Sequence, residues 1–372
     1  MADKRASASS SQQVTKRARV EDEDASNAQS MIVASDGRSG TKSQQLIRTV
    51  QRTSALKAPI MCLEGHAAEV LDVKFNPTGE KLASVSADRT INLWNVYGDC
   101  ENYGVFRLKS AAVTIEWSPN PSSHLIVCSC ADGTLNSFDA VSGERLKRHR
   151  AHTGVVNAID ITRGTGLERI VSGGDDGFVR VWLVETKESI EEIDMGYPIT
   201  AVRWSQDSQQ IYIGGIDNDI HVYDLRKSEI AFTLRDHSDT ISGLSLSPQG
   251  SHLLSSSFDN TCKVWDVRPF APITNVDDPS QNPRLTRTLY GAPAGHDQYL
   301  RKPCWDSTGK RCAIGAADRT VVIWNVASGE VAYKLPGHAG TVTSVDWLPN
   351  APVIASSSTD KKIYLGETDP AK

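Results

Sequence analysis

Histidine, serine and aspartate carry most general acid–base and nucleophilic chemistry, and in this chain of 372 residues they recur in register. An aspartate stands six residues before an aromatic at Asp88/Trp94, Asp132/Phe138, Asp176/Trp182, Asp217/Tyr223, Asp259/Trp265 and Asp318/Trp324. A seventh, Asp360, has Gly366 at that place, and the Asp-to-Asp intervals are 44, 44, 41, 42, 59 and 42. A histidine lies 22 residues upstream at His66, His237, His296 and His338, and 24 upstream at His152. With a serine four residues before the aspartate, the full sets are His66/Ser84/Asp88/Trp94, His152/Ser172/Asp176/Trp182 and His237/Ser255/Asp259/Trp265. An enzyme needs one such group, so five histidine copies argue for structure. Each set can form one buried hydrogen-bonded chain, in which a lost member leaves a polar group unsatisfied at about 1–3 kcal/mol. The aspartate also suits a tight turn. Three units depart from the pattern: Ser110 and Cys128 stand at the His and Ser positions of the second, Met195 and Ile213 in the fourth, and Ile314 replaces the serine in the sixth. Those units should lean on apolar packing.

Other chemistry is thin. Cys128-Ser129-Cys130 lacks the second ligand pair that zinc needs, so its thiols read as small buried hydrophobes. Gly173-Gly174 and Gly214-Gly215 precede neither a helix nor a P-loop lysine. No G-x-S-x-G or H-E-x-x-H occurs. The expectation is a protein that is not an enzyme, with no cofactor, no metal and no small-molecule substrate. The seven cysteines are odd in number and scattered, which favours a reducing compartment. No run of about 18 apolar residues suggests a membrane span.

Charge and texture divide the chain. Residues 1–58 carry ten Lys/Arg, six Asp/Glu and no aromatic, for a net +4. Such a stretch cannot offset its chain entropy and is expected to be a disordered tail. Its cluster Lys16, Arg17 and Arg19 suits nuclear import. With −5 overall, residues 59–372 carry −9, which should repel phosphate backbones at long range. From residue 59 onward, apolar and polar residues alternate in short runs broken by Gly, Pro, Asn and Asp, as strands and hairpins do. Only six residues follow Gly366, so Pro59 to Leu63 is expected to supply the last unit's missing strand. The longest interval places 17 extra residues, with five prolines, in a 268–293 loop expected between the fifth and sixth units.

Seven units of this kind resemble the WD-repeat β-propeller family over 59–366. The resemblance implies an all-β fold, a seven-bladed β-propeller in which blades bury both faces against their neighbours. Propellers of this type bind partners through the loops of their faces. Residues just after each Gly-His position would face the top, and Glu69, Tyr197 and Tyr299 are the candidate contacts there. Val264 to Pro272, Tyr333 to Gly340 and Asp360 to Glu367 further resemble the WD-repeat subunits of the U5 small nuclear ribonucleoprotein. That resemblance implies a nuclear, non-catalytic scaffold of pre-mRNA splicing. It would be a monomer within a large complex, set against a very large U5 scaffold protein and neighbouring helicase and GTPase subunits, with U5 RNA held mostly indirectly. The alternative is a substrate receptor of a cullin-type ubiquitin ligase, because Trp265-Asp266-Val267-Arg268 fits the Trp-Asp-x-Arg motif and makes Arg268 a contact candidate. A third is a modified-peptide reader at the central channel.

Overall fold

The computed structural model describes residues 52, 54–163, 167–271 and 282–369. They form seven four-stranded antiparallel sheets in a closed ring, an all-β seven-bladed propeller. Blade 1 shows the plan: Val70–Phe75 innermost, then Lys81–Ser86, Thr90–Asn95 and Asn102–Arg107 outermost. Blades 2 to 6 span Ala112–Arg150, Val156–Asp194, Ile199–Leu234, Ile241–Leu289 and Cys304–Pro336. Blade 7 runs Val342–Trp347, Val353–Ser358 and Lys362–Glu367, and takes its outermost strand, Ile60–Glu64, from the other end of the chain. Ile60 pairs with Gly366 and Glu64 with Lys362, so the ring is latched by hydrogen bonds across its seam.

The second strand of each blade is buried on both faces, as a strand sandwiched between two neighbours must be. Apolar side chains gather into seven clusters, each between adjacent blades. Polar stitches join the inner strands. Asp72 accepts from the Ile115 amide at 2.9 Å, Asp160 from the Trp204 amide at 2.7 Å, and Asp346 from the Phe75 amide at 2.8 Å. Each aspartate thus binds the backbone of the next blade. The residue after every repeat aspartate is left-handed, at Arg89, Gly133, Gly177, Asn218, Asn260, Arg319 and Lys361, with φ between 67° and 83°. That one conformation turns the chain between second and third strands, and in blades 1, 2, 3, 5 and 7 the aspartate caps the turn by accepting from the amide two residues on.

Two boundaries differ from the sequence reading. Residues 52 and 54–58, grouped above with the tail, contact the propeller: Leu56 is buried in the cluster between blades 7 and 1, and the Arg52 guanidinium meets Glu367 at 2.8 Å. Composition missed this because one buried leucine is enough to anchor the segment. The long loop does not join blades 5 and 6. Leu285–Leu289 is the outermost strand of blade 5, pairing with Cys262–Asp266. The insertion therefore lies inside blade 5, between its third and fourth strands. Leu285-Thr286-Arg287-Thr288-Leu289 breaks the apolar–polar alternation of a strand at Arg287 and is flanked by prolines and polar residues, so it carried no strand signal. Residues 272–281 and the cluster Lys16, Arg17 and Arg19 lie outside the described residues.

Candidate functional site

In blades 1, 3 and 5 the repeat residues meet. Trp94 Nε1–H donates to Ser84 Oγ at 2.9 Å, Ser84 Oγ lies 2.8 Å from His66 Nε2, and His66 Nδ1 lies 3.0 Å from Asp88. Trp182, Ser172, His152 and Asp176 repeat the chain at 2.9, 2.8 and 2.7 Å, and Trp265, Ser255, His237 and Asp259 at 2.8, 2.7 and 2.7 Å. An ionised aspartate only accepts, so the imidazole proton sits on Nδ1 and the serine hydroxyl donates to Nε2. The connectivity is that of a hydrolase triad, but its chemistry is closed. The three serines are fully buried, and each oxygen already accepts the indole proton. Burial lowers the pKa of all three histidines despite their aspartate partners. Burial opposes ionisation of Asp176, yet the Arg180 and His152 hydrogen bonds hold it down at about 2.

Blade 7 contains a fourth network that the spacing only half showed. His338 bridges Asp360 at 3.0 Å and Ser356 at 2.9 Å, and the Tyr364 ring meets the imidazole edge-on at 4.7 Å in place of the missing tryptophan. Ser356, four residues before Asp360, was the available signal. Blades 2, 4 and 6 are filled differently. Phe138 stacks on Phe106 of blade 1 at 4.6 Å. In blade 4 the ring of Tyr197 packs so closely on Gly215 that a β-carbon there would lie 2.6 Å from it; His152 bears on Gly174 of blade 3 in the same way. Tyr197 therefore takes the volume of the absent histidine. In blade 6 His296 is exposed and outside any such network; Trp324 donates instead to the Tyr290 carbonyl at 2.9 Å. The buried guanidinium of Arg301 donates to the carbonyls of Ala292, Pro293, Gly315 and Ser257 at 3.0–3.3 Å.

At the ring's centre, inner-strand charges interlock. Arg203 reaches Glu116 at 2.6 Å and Asp160 at 2.9 Å, Lys302 reaches Asp72 at 2.6 Å, and Lys74 lies 3.8 Å from Glu116 and 3.6 Å from Asp346. A cavity of about 30 Å³ remains beside Lys74, Glu116, Arg203 and Lys302, room for a water or so and not for a peptide. Burial pushes the Asp346 carboxyl up to about 6, with Lys74 opposing. Sequence reasoning missed this belt. Its signal was a charged residue 14 or 16 positions before the repeat aspartate in six of the seven units: Asp72 and Lys74, Glu116, Asp160, Arg203, Lys302 and Asp346.

The candidate contacts are scattered. Glu69 and Tyr299 are half-buried neighbours; burial and the Glu69 carboxylate raise the Tyr299 phenol. Arg268 Nε lies 3.0 Å from Asp266 Oδ1, so its guanidinium is engaged within its own Trp-Asp-x-Arg motif. On the opposite side from the repeat turns, blades 1 and 2 bound a groove of about 580 Å³ walled by Tyr103, Val105, Phe106, Trp117 and Val141. Among the described residues, one trio of possible metal ligands lies together: Asp217, Asp219 and His221. It is internally spent, since Asp217 pairs with His221 at 2.7 Å and Asp219 with Arg235 at 2.9 Å. Among the described residues no helix is long and apolar enough to cross a membrane.

Comparison with known proteins places this architecture. Residues 62–289 match the family described as Nucleolar protein 10-like, N-terminal domain, and residues 284–325 and 329–365 match the WD domain, G-beta repeat. The chain is 43% identical to the U5 small nuclear ribonucleoprotein 40 kDa protein of Bos taurus and 42% identical to that of Homo sapiens, over 85% of each chain in both cases. It is 37% identical to the pre-mRNA-splicing factor cwf17 of Schizosaccharomyces pombe, over 86% of this chain and 90% of that one. The chain belongs to the WD-repeat propeller family that includes the U5 small nuclear ribonucleoprotein 40 kDa proteins.

Proposed function

We propose that this protein is a non-catalytic scaffold of the U5 small nuclear ribonucleoprotein and acts in pre-mRNA splicing in the nucleus. The observation that supports this best is the 42–43% identity to U5 40 kDa proteins over 316 residues, 85% of the chain. The closed chemistry of the tetrads and the ion-filled channel support binding at outer surfaces over catalysis or peptide capture at the centre. In this reading its neighbours are the very large U5 scaffold protein and the helicase and GTPase subunits beside it. Lys16, Arg17 and Arg19 serve import, and Glu69 and Tyr299 offer contact on the top face.

Affinity purification of the tagged protein from nuclear extract, with and without nuclease, tests this. Recovery of U5 RNA and the large U5 proteins is expected, with the protein contacts surviving nuclease. Recovery of a cullin and its adaptor without spliceosomal RNA would overturn it in favour of the Trp-Asp-x-Arg reading.

A further inference from the structure

The outermost strand of blade 2 reads Arg145-Leu146-Lys147-Arg148-His149-Arg150. Four cations in six residues stand out on a globular part that carries −9 from residue 59 onward. Arg145, Arg148 and Arg150 are exposed, opposite Phe138, Asn136 and Thr134; a register shift at Ser137/Phe138 brings Arg145 onto the face of the other two. Lys109, from the loop entering the blade, joins Arg145 and Arg148 around a cleft whose other polar walls are Ser110, Thr134 and Asn136. The acid of the cleft, Asp132, is paired with Arg148 at 2.9 Å. Among the described residues, Lys109, Arg145 and Arg150 have no carboxylate within 4.0 Å. The cleft is a consequence of the repeat's decay. Ser110 stands where a histidine would fill it, and Cys128 and Phe138 replace the serine and tryptophan behind it.

We propose that this edge of blade 2 binds the phosphate backbone of single-stranded RNA, without reading its bases. Three features favour phosphate over an acidic peptide. Residues two apart on a strand lie about 6.6–6.8 Å apart, close to the phosphate step of an extended nucleic-acid strand. The Ser110 hydroxyl beside Lys109 is a usual kind of partner for a phosphate oxygen, while Thr134 and Asn136 are buried and donate within the blade, to Asp132 and to Thr134 and Cys130. The edge has no exposed aromatic and one apolar residue, Leu146, so a protein partner would lack a buried anchor, and bases would lack a stacking platform. The choice of RNA rests on the function proposed above. It adds one direct contact to a protein whose overall charge opposes RNA.

The test uses the purified full-length chain and a fluorescent 12-nucleotide RNA, titrated at several salt concentrations. Lys16, Arg17 and Arg19 are replaced by Gln in every arm, so that the tail's basic cluster does not report, and the remaining tail cations are common to all arms. The patch variant is Lys109→Gln/Arg145→Gln/Arg150→Gln; Arg226→Gln/Lys227→Gln/Arg235→Gln on blade 4 is a control with the same charge change. Each phosphate contact on a single strand contributes about −0.7 to the slope of log K against log salt. Removal of three should flatten that slope by about 2 and weaken binding at low salt at least ~10-fold. The control variant and a changed base sequence should have little effect. Equal losses in both triple variants, no loss in the patch variant, or tighter binding of polyglutamate than of RNA at the patch would each overturn the proposal. No partner protein is in the assay, so its failure leaves the scaffold reading standing, and failure of the purification leaves the phosphate track standing.

Discussion

Blades 1, 3, 5 and 7 are locked by a histidine–serine–aspartate chain, whereas blades 2, 4 and 6 are not. The two kinds alternate around the ring, so every blade without the chain has locked neighbours on both sides. The two adjacent locked blades, 7 and 1, flank the seam where the ends of the propeller meet. A hydrogen-bonded chain fixes geometry whatever the neighbours do, while a blade that has lost it takes its shape from side chains specific to it. Blade 4 uses Tyr197, blade 2 an aromatic stack, and blade 6 a buried arginine. The even blades are thus where this propeller departs from a generic repeat, and the phosphate track proposed for blade 2 lies in one of those departures.

The largest test of this contrast is Arg301→Leu. Four backbone carbonyls lose the guanidinium in a fully buried site; that of Pro293 keeps the Ala317 amide, and each of the others left unsatisfied costs about 1–3 kcal/mol. A loss of at least ~3 kcal/mol in denaturant unfolding is expected. A loss smaller than that of Ser255→Ala would mean that packing, not Arg301, holds blade 6. Ser255→Ala itself removes the acceptor of Trp265 and the donor to His237, and should cost about 1–3 kcal/mol. Ser110→Ala, at the vacated histidine position of blade 2, should stay within about 0.5 kcal/mol. Equal costs at the two serines would break the distinction between locked and unlocked blades.

Acid should separate the two kinds as well. Burial holds the four network histidines below their usual value of 6.5. They are neutral in the fold and bind protons more readily when unfolded, so their contribution is complete above pH 6.5 and is lost as pH falls below it. Asp88, Asp176, Asp259 and Asp360, held below 3.8, act in the same direction at lower pH. Asp346 runs the other way: raised to about 6 by burial, it favours the fold below 3.8 and loses that contribution as pH rises through 6. Burial lowers His149 and His252 as well, so with six histidines against one carboxyl the midpoint of thermal unfolding should fall between pH 7.5 and pH 5. His237→Gln should shallow that fall. A slope unchanged by His237→Gln would show that the histidines are not its source.

The repeat was legible because its residues are polar, buried and locally spaced: one aspartate per turn, with its partners at fixed distances within the same blade. The strand latch was legible from a count of residues after Gly366. What escaped were features made by convergence between blades. The channel belt joins Lys302 of blade 6 to Asp72 of blade 1, 230 residues apart, and its repeat lies outside the tetrad positions, with the sign of charge changing from unit to unit. The outer strand of blade 5 escaped because Arg287 interrupts its apolar alternation and prolines flank it. Tyr197 was singled out as an aromatic on a loop; its contact with Gly215 places it within the blade, where its signal was a missing histidine two residues earlier and a glycine opposite.

A small gain in stability is expected at the turns. Blades 2 and 3 place glycine after the repeat aspartate, while Arg319 and Lys361 adopt φ of 70° and 71° with a β-carbon. The left-handed conformation costs an L-residue about 1–2 kcal/mol, and glycine gives back about 0.5–1 kcal/mol in chain entropy. Arg319→Gly and Lys361→Gly should therefore each stabilise by up to about 1 kcal/mol. Blade 6 has no tetrad and blade 7 has His338, Ser356 and Asp360 around its turn. If the hydrogen-bonded chain is what imposes the turn, the two gains will be similar in size, but the turn of blade 6 will show faster amide exchange than that of blade 7 before substitution, and the difference will narrow in Arg319→Gly. Equal exchange in the unsubstituted protein would mean that the left-handed turn is set by the aspartate cap alone, and that the histidine and serine act deeper in the blade.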